Sequence, residues 1–422
     1  MNKINPFNPN SPIGPGMFAG RYDELVTTEK LLIQAKANKG HGFLLTGQRG
    51  IGKTSLLNLL KYKAEGDIDV NGQNLNFLVV DIDITKDTTQ QILIKKIEIA
   101  LKRKLARTEK TRAIFGEIWN FVGRIEAAGV KVNTNSTSDN ELIFEEFCYS
   151  LADTLNRVTK TTDKSKFDSS YDGLLIMIDE ADNACPELDL GTFIKLLYER
   201  LQKEKTQHLM VGIAGLPSTK QVLSNSHPSS LRIFDELVLD RLQESDIKYV
   251  INRVLEHSKE INGFETEVSE RAEKLLINLS EGFPHFIHQY GYCAFDLSDG
   301  KKITEKNVID GAFGTNGAIE KIGDKYYRDD YYNKIKKDSY RQVLVIMAEK
   351  LDSWVSRTYI KNRFKGEKAT LNNAIAALRT RGIILDKEGS RGMYRLQDKG
   401  FAWWIVMNKK REDRDKREQH KK

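Results

Sequence analysis

The chain has 422 residues, 40% of them apolar and 30% charged, with three cysteines and a formal net charge of +7. That length supports two or three domains with cores of their own and excludes a small, staple-dependent fold. No apolar run approaches the roughly 18 residues that a membrane span requires. The polar, proline-rich start MNKINPFNPNSPIGPG lacks the apolar core of a secretory signal. The expectation is a cytoplasmic protein without a membrane partner. Cys148, Cys185 and Cys293 lie far apart with no C-x-x-C spacing, which fits neither a disulfide framework nor a zinc site. Charge is unevenly spread: from Tyr326 to Lys422 there are 25 Lys or Arg against 13 Asp or Glu, whereas the rest of the chain has 41 against 46. An anionic partner would therefore meet the C-terminal end.

In chain order, four prolines in the first 15 residues make residues 1–17 an extended strap. Short apolar runs then recur as candidate buried strands at Gly42 to Thr46, Phe77 to Ile82, Leu174 to Asp179, Leu209 to Ile213 and Leu237 to Leu239. Helical stretches separate them, which implies a parallel sheet covered on both faces. Residues 101–140 read as a helical insertion ending in the polar loop NTNSTSDN. Ile247, Val250, Ile251, Val254 and Leu255 mark one helical face, and Ala272, Leu275, Leu276 and Leu279 another, giving a small helical lid. A helix with Tyr340, Val343 and Met347 follows. Next come a Ser356-capped helix through Phe364 and a helix from about Thr370 to Arg381. Two short strands, Ile383 to Leu385 and Tyr394 to Leu396, are joined by the turn EGSRG. Three helices and a hairpin describe a winged helix. The expected domains are the strap, an α/β core at 18–243 containing the insertion, a lid at 244–325, a winged helix at 326–408 and a charged tail at 409–422.

Residues 47–54, GQRGIGKT, fit G-x-x-x-x-G-K-[ST] between an expected strand and an expected helix. The pattern is that of a phosphate cradle. Gly47 and Gly52 permit backbone angles closed to other residues, so that N–H groups of Gln48, Arg49, Gly50, Ile51 and the helix start through Ser55 can turn toward phosphate oxygens. Lys53 reaches the β- and γ-phosphates, and the Thr54 hydroxyl ligates Mg²⁺. The run LLIMIDEAD supplies the second half: Asp179 completes the Mg²⁺ shell, and Glu180 orients and polarises the attacking water. ATP and Mg²⁺ are the expected ligands, and hydrolysis to ADP and phosphate the expected reaction.

FAGRYDEL, LLTGQRGIGKTSLL and LLIMIDEAD together resemble the AAA+ and STAND ATPases of the origin-recognition-like group, over roughly residues 18–400. The resemblance implies an α/β P-loop core of three αβα layers with a parallel sheet, of AAA+ (ASCE) type, followed by a helical lid and a winged helix. It further implies an adenine pocket drawing on Phe18 to Arg21 and on the lid. Two departures stand out. The fourth strand ends VGIAGLPST, with Ala214 and Gly215 where the family carries a polar γ-phosphate sensor, unless Ser218 or Thr219 substitutes. The second lid helix starts GFPHF, similar to the G-x-P signature of STAND ATPases, so that Pro284 and His285 would face the nucleotide, His285 as a pH-dependent contact near its ordinary pKa of about 6.5. By the same resemblance Arg232, just before the fifth strand, would serve a neighbouring subunit as an arginine finger, with Arg241 second in order. These features set up two functional expectations. One is a slow switch ATPase that forms homo-oligomers with ATP and binds double-stranded DNA through its basic winged helix. The other is a STAND-like signalling or defence scaffold whose winged helix contacts an effector protein.

Overall fold

The computed structural model describes residues 3–12, 14–123, 137–159, 170–351 and 353–419, and the chain divides into two compact units. One unit runs from Gly20 to Asp240. It is built on five strands: β1 (Gly42–Gly47), β2 (Phe77–Asp83), β3 (Gly173–Asp179), β4 (Leu209–Gly215) and β5 (Phe234–Leu239). All pair in parallel, in the order β2-β3-β4-β1-β5. Every residue of β1 and β4 is buried, as expected of strands covered by helices on both faces. The five expected strands are all present, and β5 begins three residues earlier than its apolar run suggested. As an edge strand it alternates, with Phe234, Leu237 and Leu239 buried while Asp235, Glu236 and Val238 face outward. Two acids hid its first half from a search for apolar runs.

Part of the expected insertion belongs to the core of this unit. Helices Gln90–Leu105, Glu109–Ile118 and Thr137–Thr159 contribute Leu101, Phe115, Phe147 and Leu151 to the same apolar cluster as the sheet residues Leu174 and Ile176. Trp119 stacks on Phe115 with ring centroids 5.6 Å apart and donates its indole N–H to Thr154 Oγ1 at 3.0 Å. The polar stretch NTNSTSDN is not all loop: Thr137 to Asn140 already form the first turn of the third helix, and residues 133–136 lie outside the described residues. Ser, Thr, Asp and Asn are as much a helix-start signal as a loop signal, and here the apolar face of Leu151 and Leu155 decides.

The second unit combines residues 1–19 with Arg241–Lys422. Helices Glu244–Asn262, Glu270–Ser280, Pro284–Asp296, Glu305–Phe313 and Ala318–Tyr326 form its first half. The expected helical faces hold: Ile247, Val250, Ile251 and Val254 are buried, as are Ala272 and Leu276. A parallel pair, β6 (Glu267–Val268) with β7 (Lys302–Ile303), ties two of the connections together. The N-terminal strap lies on the helix Pro284–Asp296. The Lys3 ammonium donates to the carbonyls of Phe295, Asp296 and Ser298, a cation at a helix C-terminus. Asn5 donates to the Tyr292 carbonyl, and the Phe7 ring is fully buried beside His288 at Gly291, where a side chain would collide with it. Phe7→Ala should therefore cost about 3 kcal/mol or more of this unit's stability, the usual range for emptying a buried phenylalanine site. Thermal melting and limited proteolysis near the N-terminus would read it.

The second half is a winged helix. It contains helices Asp338–Ala348, Arg357–Arg363 and Lys368–Thr380, and a three-stranded antiparallel sheet of β8 (Val355–Ser356), β9 (Ile384–Asp386) and β10 (Met393–Leu396) in the order β8-β10-β9. The Ser356 hydroxyl caps its helix by accepting from the Tyr359 N–H. β8, two residues long, carries no readable alternation and had not been expected. A closing helix, Lys399–Gln419, includes the first part of the expected charged tail. Its Trp404 packs directly against Gly323, and Phe401 against Tyr327.

Candidate nucleotide site

The loop after β1 has the conformation its sequence requires, for reasons that differ from one glycine to the next. Gly52, at the start of the helix Lys53–Glu65, has φ 104° and ψ 17°, and Gly50 has φ 77°; both are left-handed. Gly47 is not, contrary to expectation. It is glycine for want of space, because a Cβ there would lie 2.8 Å from Ile51 Cγ2 and 3.2 Å from the Leu239 Cβ. Ile51 is itself buried, so its side chain anchors the loop, and its N–H donates to the Gln48 carbonyl at 3.4 Å. Gln48 and Ser55 are half-buried and Arg49 is exposed. The first N–H groups of the following helix have no intrahelical partner and, with the helix dipole, make the loop a cradle for anions.

Lys53 lies in this cradle, its ammonium bonded to the carbonyls of Gly47 at 2.9 Å and Gln48 at 3.2 Å. Burial pushes its pKa below the ordinary lysine value, while Asp179 and Asp182 pull the other way. A desolvated ammonium gains from an anion placed beside it. Thr54 Oγ1 donates to Asp179 Oδ2 at 2.9 Å, and the Glu180 N–H donates to Asp179 Oδ1 at 2.8 Å. The hydroxyl and carboxylate assigned to Mg²⁺ from sequence are thus side by side, and both are hard oxygen donors. One carboxylate and one hydroxyl, completed by waters and substrate phosphates, is how Mg²⁺ is ordinarily held. Among the described residues no cluster of three or more His, Cys, Asp or Glu suits a metal, so no separate all-protein cage competes with this arrangement. Glu180 is exposed at the end of β3, with φ 54° and ψ 33°.

The remaining sequence-derived residues fall elsewhere. Arg21 is buried and donates from its guanidinium to the Ile51 carbonyl at 3.2 Å, bracing the phosphate loop from behind. Motif spacing could place Arg21 near the nucleotide but could not reveal this bond. Arg232 is exposed in the short helical turn Ser230–Ile233 that leads into β5. Because Gly42 pairs with Phe234 and Gly47 with Leu239, Arg232 stands at the opposite end of the strands from the phosphate loop, roughly 15–20 Å away along a five-residue rise. It shares a shallow basin with His41, Lys195, Glu199 and Gln207. Phe18, Pro284 and His285 belong to the other unit. There Pro284 opens the helix Pro284–Asp296. His285 meets the Tyr326 ring at 5.2 Å. Burial, then the nearby Lys325 and His288, push the His285 pKa down to about 4. It is therefore neutral at pH 7, not the titrating contact expected from its ordinary pKa. Arg241, second in order as a finger, donates to Glu281 at 3.0 Å and to the Gln397 carbonyl at 3.1 Å, and lies over the Phe283 ring. At the end of β4, Ala214 and Gly215 are buried. Ser218 is exposed, and the buried Thr219 hydroxyl, which has no hydrogen-bond partner among the described residues, fills the space a side chain at Gly215 would need.

Residues 37–223 match the family model described as AAA domain. In structure, the chain is similar to a Walker-type ATPase of Pyrococcus abyssi, at 14% identity and TM-score 0.56, covering 92% of this chain and 96% of that one. It is also similar to the ORC2 protein of Aeropyrum pernix solved as ADPNP–ADP complexes, at 11% identity and TM-score 0.56, covering 97% and 99%. No curated protein sequence matches the chain. At these identities the structural likeness speaks for the fold alone. With its phosphate loop, its Asp-Glu strand end and its 2-3-4-1-5 parallel sheet, the region matched at residues 37–223 is an AAA domain on a P-loop α/β fold.

Proposed function

We propose that this chain is a nucleotide-controlled switch that binds ATP with Mg²⁺, hydrolyses it slowly, self-associates in the ATP state and engages double-stranded DNA through its winged helix. The observation that carries the ATPase reading is the 2.9 Å contact of Thr54 with Asp179 beside the half-buried Lys53 ammonium. When bound, Mg²⁺ supplies charge neutralisation on the β- and γ-phosphates. Lys53 and the loop N–H groups orient the triphosphate, and Glu180 accepts the proton of the attacking water. The remoteness of Arg232 from its own phosphate loop supports a role in trans, on the nucleotide of a second copy.

The winged helix favours DNA in a restricted way. Arg379 is paired with Asp386, Arg381 donates to the Lys334 carbonyl, Arg363 lies 3.7 Å from the Tyr359 ring centre and Arg395 lies over Trp354. Lys361, Lys365, Lys368 and Arg391 remain exposed and without a partner among the described residues. Four such cations support contacts to phosphate, not reading of base edges. Binding should then be weakly sequence-selective and steeply salt-dependent. The alternative, a STAND-like scaffold whose winged helix meets a protein effector, is favoured by Gly215, whose site has no room for a γ-phosphate-sensing side chain. ATP turnover and particle mass, measured with and without duplex DNA at low salt, separate the two. The switch reading expects DNA binding that is lost as salt rises, with turnover altered by DNA. Assembly driven by ATP alone, with no DNA binding and unchanged turnover, would leave the scaffold.

A further inference from the structure

We propose that Asp182 is a positioning residue for hydrolysis: by tying the turn after β3 to the end of β4, it holds Glu180 in its working pose. This rests on the reading of Glu180 as the base that activates water. Glu180 occupies a left-handed conformation that L residues adopt at a cost, and such a conformation persists only where its surroundings impose it. The turn that follows, Ala181–Asn183, is short, and its attachments can be traced one by one. Ala181 is buried. The Asn183 N–H donates back to the Glu180 carbonyl at 3.0 Å, a bond local to the turn. The Asn183 amide reaches the Ile84 carbonyl only at 3.4 Å. The strong tie to the sheet is Asp182, whose Oδ1 accepts from the Leu216 N–H at 2.9 Å.

The far side of this tie is tightly packed. A Cβ on Gly215 would come 2.2 Å from Thr219 Oγ1, 2.9 Å from Asp182 Oδ1 and 3.1 Å from the Asp182 nitrogen. The turn that carries Glu180 and the end of β4 thus meet without room for a side chain, and the carboxylate of Asp182 is the polar link between them. Asp182 also lies close enough to Lys53 to favour its charged form, which places the link at the nucleotide side of the sheet. Movement at the end of β4 would reach the Glu180 turn through this packing and the Leu216–Asp182 hydrogen bond.

The proposal is tested on the full-length protein by steady-state ATPase kinetics together with ATP affinity. Asp182→Ala should lower kcat by roughly 10- to 100-fold, the effect of displacing a catalytic group by about an ångström, with KM and Kd for ATP close to the parent's. Asp182→Asn keeps an oxygen facing the Leu216 N–H and should recover most of kcat. If Asn fails like Ala and ATP affinity falls, the residue acts through its charge on Lys53 and the positioning role is wrong. Gly215→Ala, which pushes Asp182 Oδ1 from the other side, should reproduce the kcat loss. In a Glu180→Gln background, Asp182→Ala should leave the residual rate unchanged; a further drop would overturn the proposal. Parent-like turnover in Glu180→Gln would instead remove the base reading, whereas an inactive Glu180→Gln beside a fully active Asp182→Ala would remove the positioning role alone.

Discussion

Lys53→Ala should lose ATP affinity by one to two orders of magnitude, measured by calorimetric titration or with a fluorescent nucleotide. A charge-assisted hydrogen bond to phosphate is worth about 1.5–3 kcal/mol, and removing Lys53 deletes both the bond and a cation at the centre of the cradle. The fold should tolerate the change. The ammonium's contacts in the structure are two carbonyls of its own loop, and deleting a partly desolvated cation relieves a burial cost. Lys53→Arg should recover little, because a forked guanidinium cannot take the place of a compact ammonium between the Gly47 and Gln48 carbonyls. Affinity equal to the parent's in Lys53→Ala would overturn the assignment of the site.

What could be read from sequence followed the physics of each element. β1 and β3 announced themselves because strands buried on both faces are continuous apolar runs, and GQRGIGKT announced itself because few chemistries need that spacing. The pairing order was not legible, since β1 between β4 and β5 depends on contacts far apart in the chain. Nor could spacing tell that Gly47 is small for packing while Gly52 is left-handed. Tertiary partners were hidden altogether. The bond from Arg21 to the Ile51 carbonyl, and those from Arg241 to Glu281 and the Gln397 carbonyl, leave no mark in motif spacing. His285 looked like a titrating ligand until burial and its aromatic neighbour came into view. The strap illustrates the same point. Its prolines suggested an extended chain, which ends in the short helical turn Pro15–Met17, and only the buried Phe7 at Gly291 shows that it docks.

Glu180→Gln should separate binding from chemistry. Glutamine matches glutamate in shape and still suits the exposed end of β3, so ATP affinity should stay within about twofold of the parent. It cannot accept the proton of the attacking water, and turnover should fall by roughly 10²- to 10⁴-fold, the usual worth of a positioned general base. The split matters because Asp179, its neighbour, should behave differently. Asp179 accepts from both Thr54 and the Glu180 N–H, so Asp179→Asn would weaken Mg²⁺-dependent binding and turnover together. A Glu180→Gln protein that holds ATP without consuming it would also test self-association. If the ATP state is the assembling one, the variant should remain in its heavier form after ATP addition, whereas the parent returns to its starting mass as ATP is exhausted. Retained turnover in Glu180→Gln would assign the base elsewhere. Lost turnover without retained binding would mean that the end of β3 builds the pocket itself and does not merely act within it.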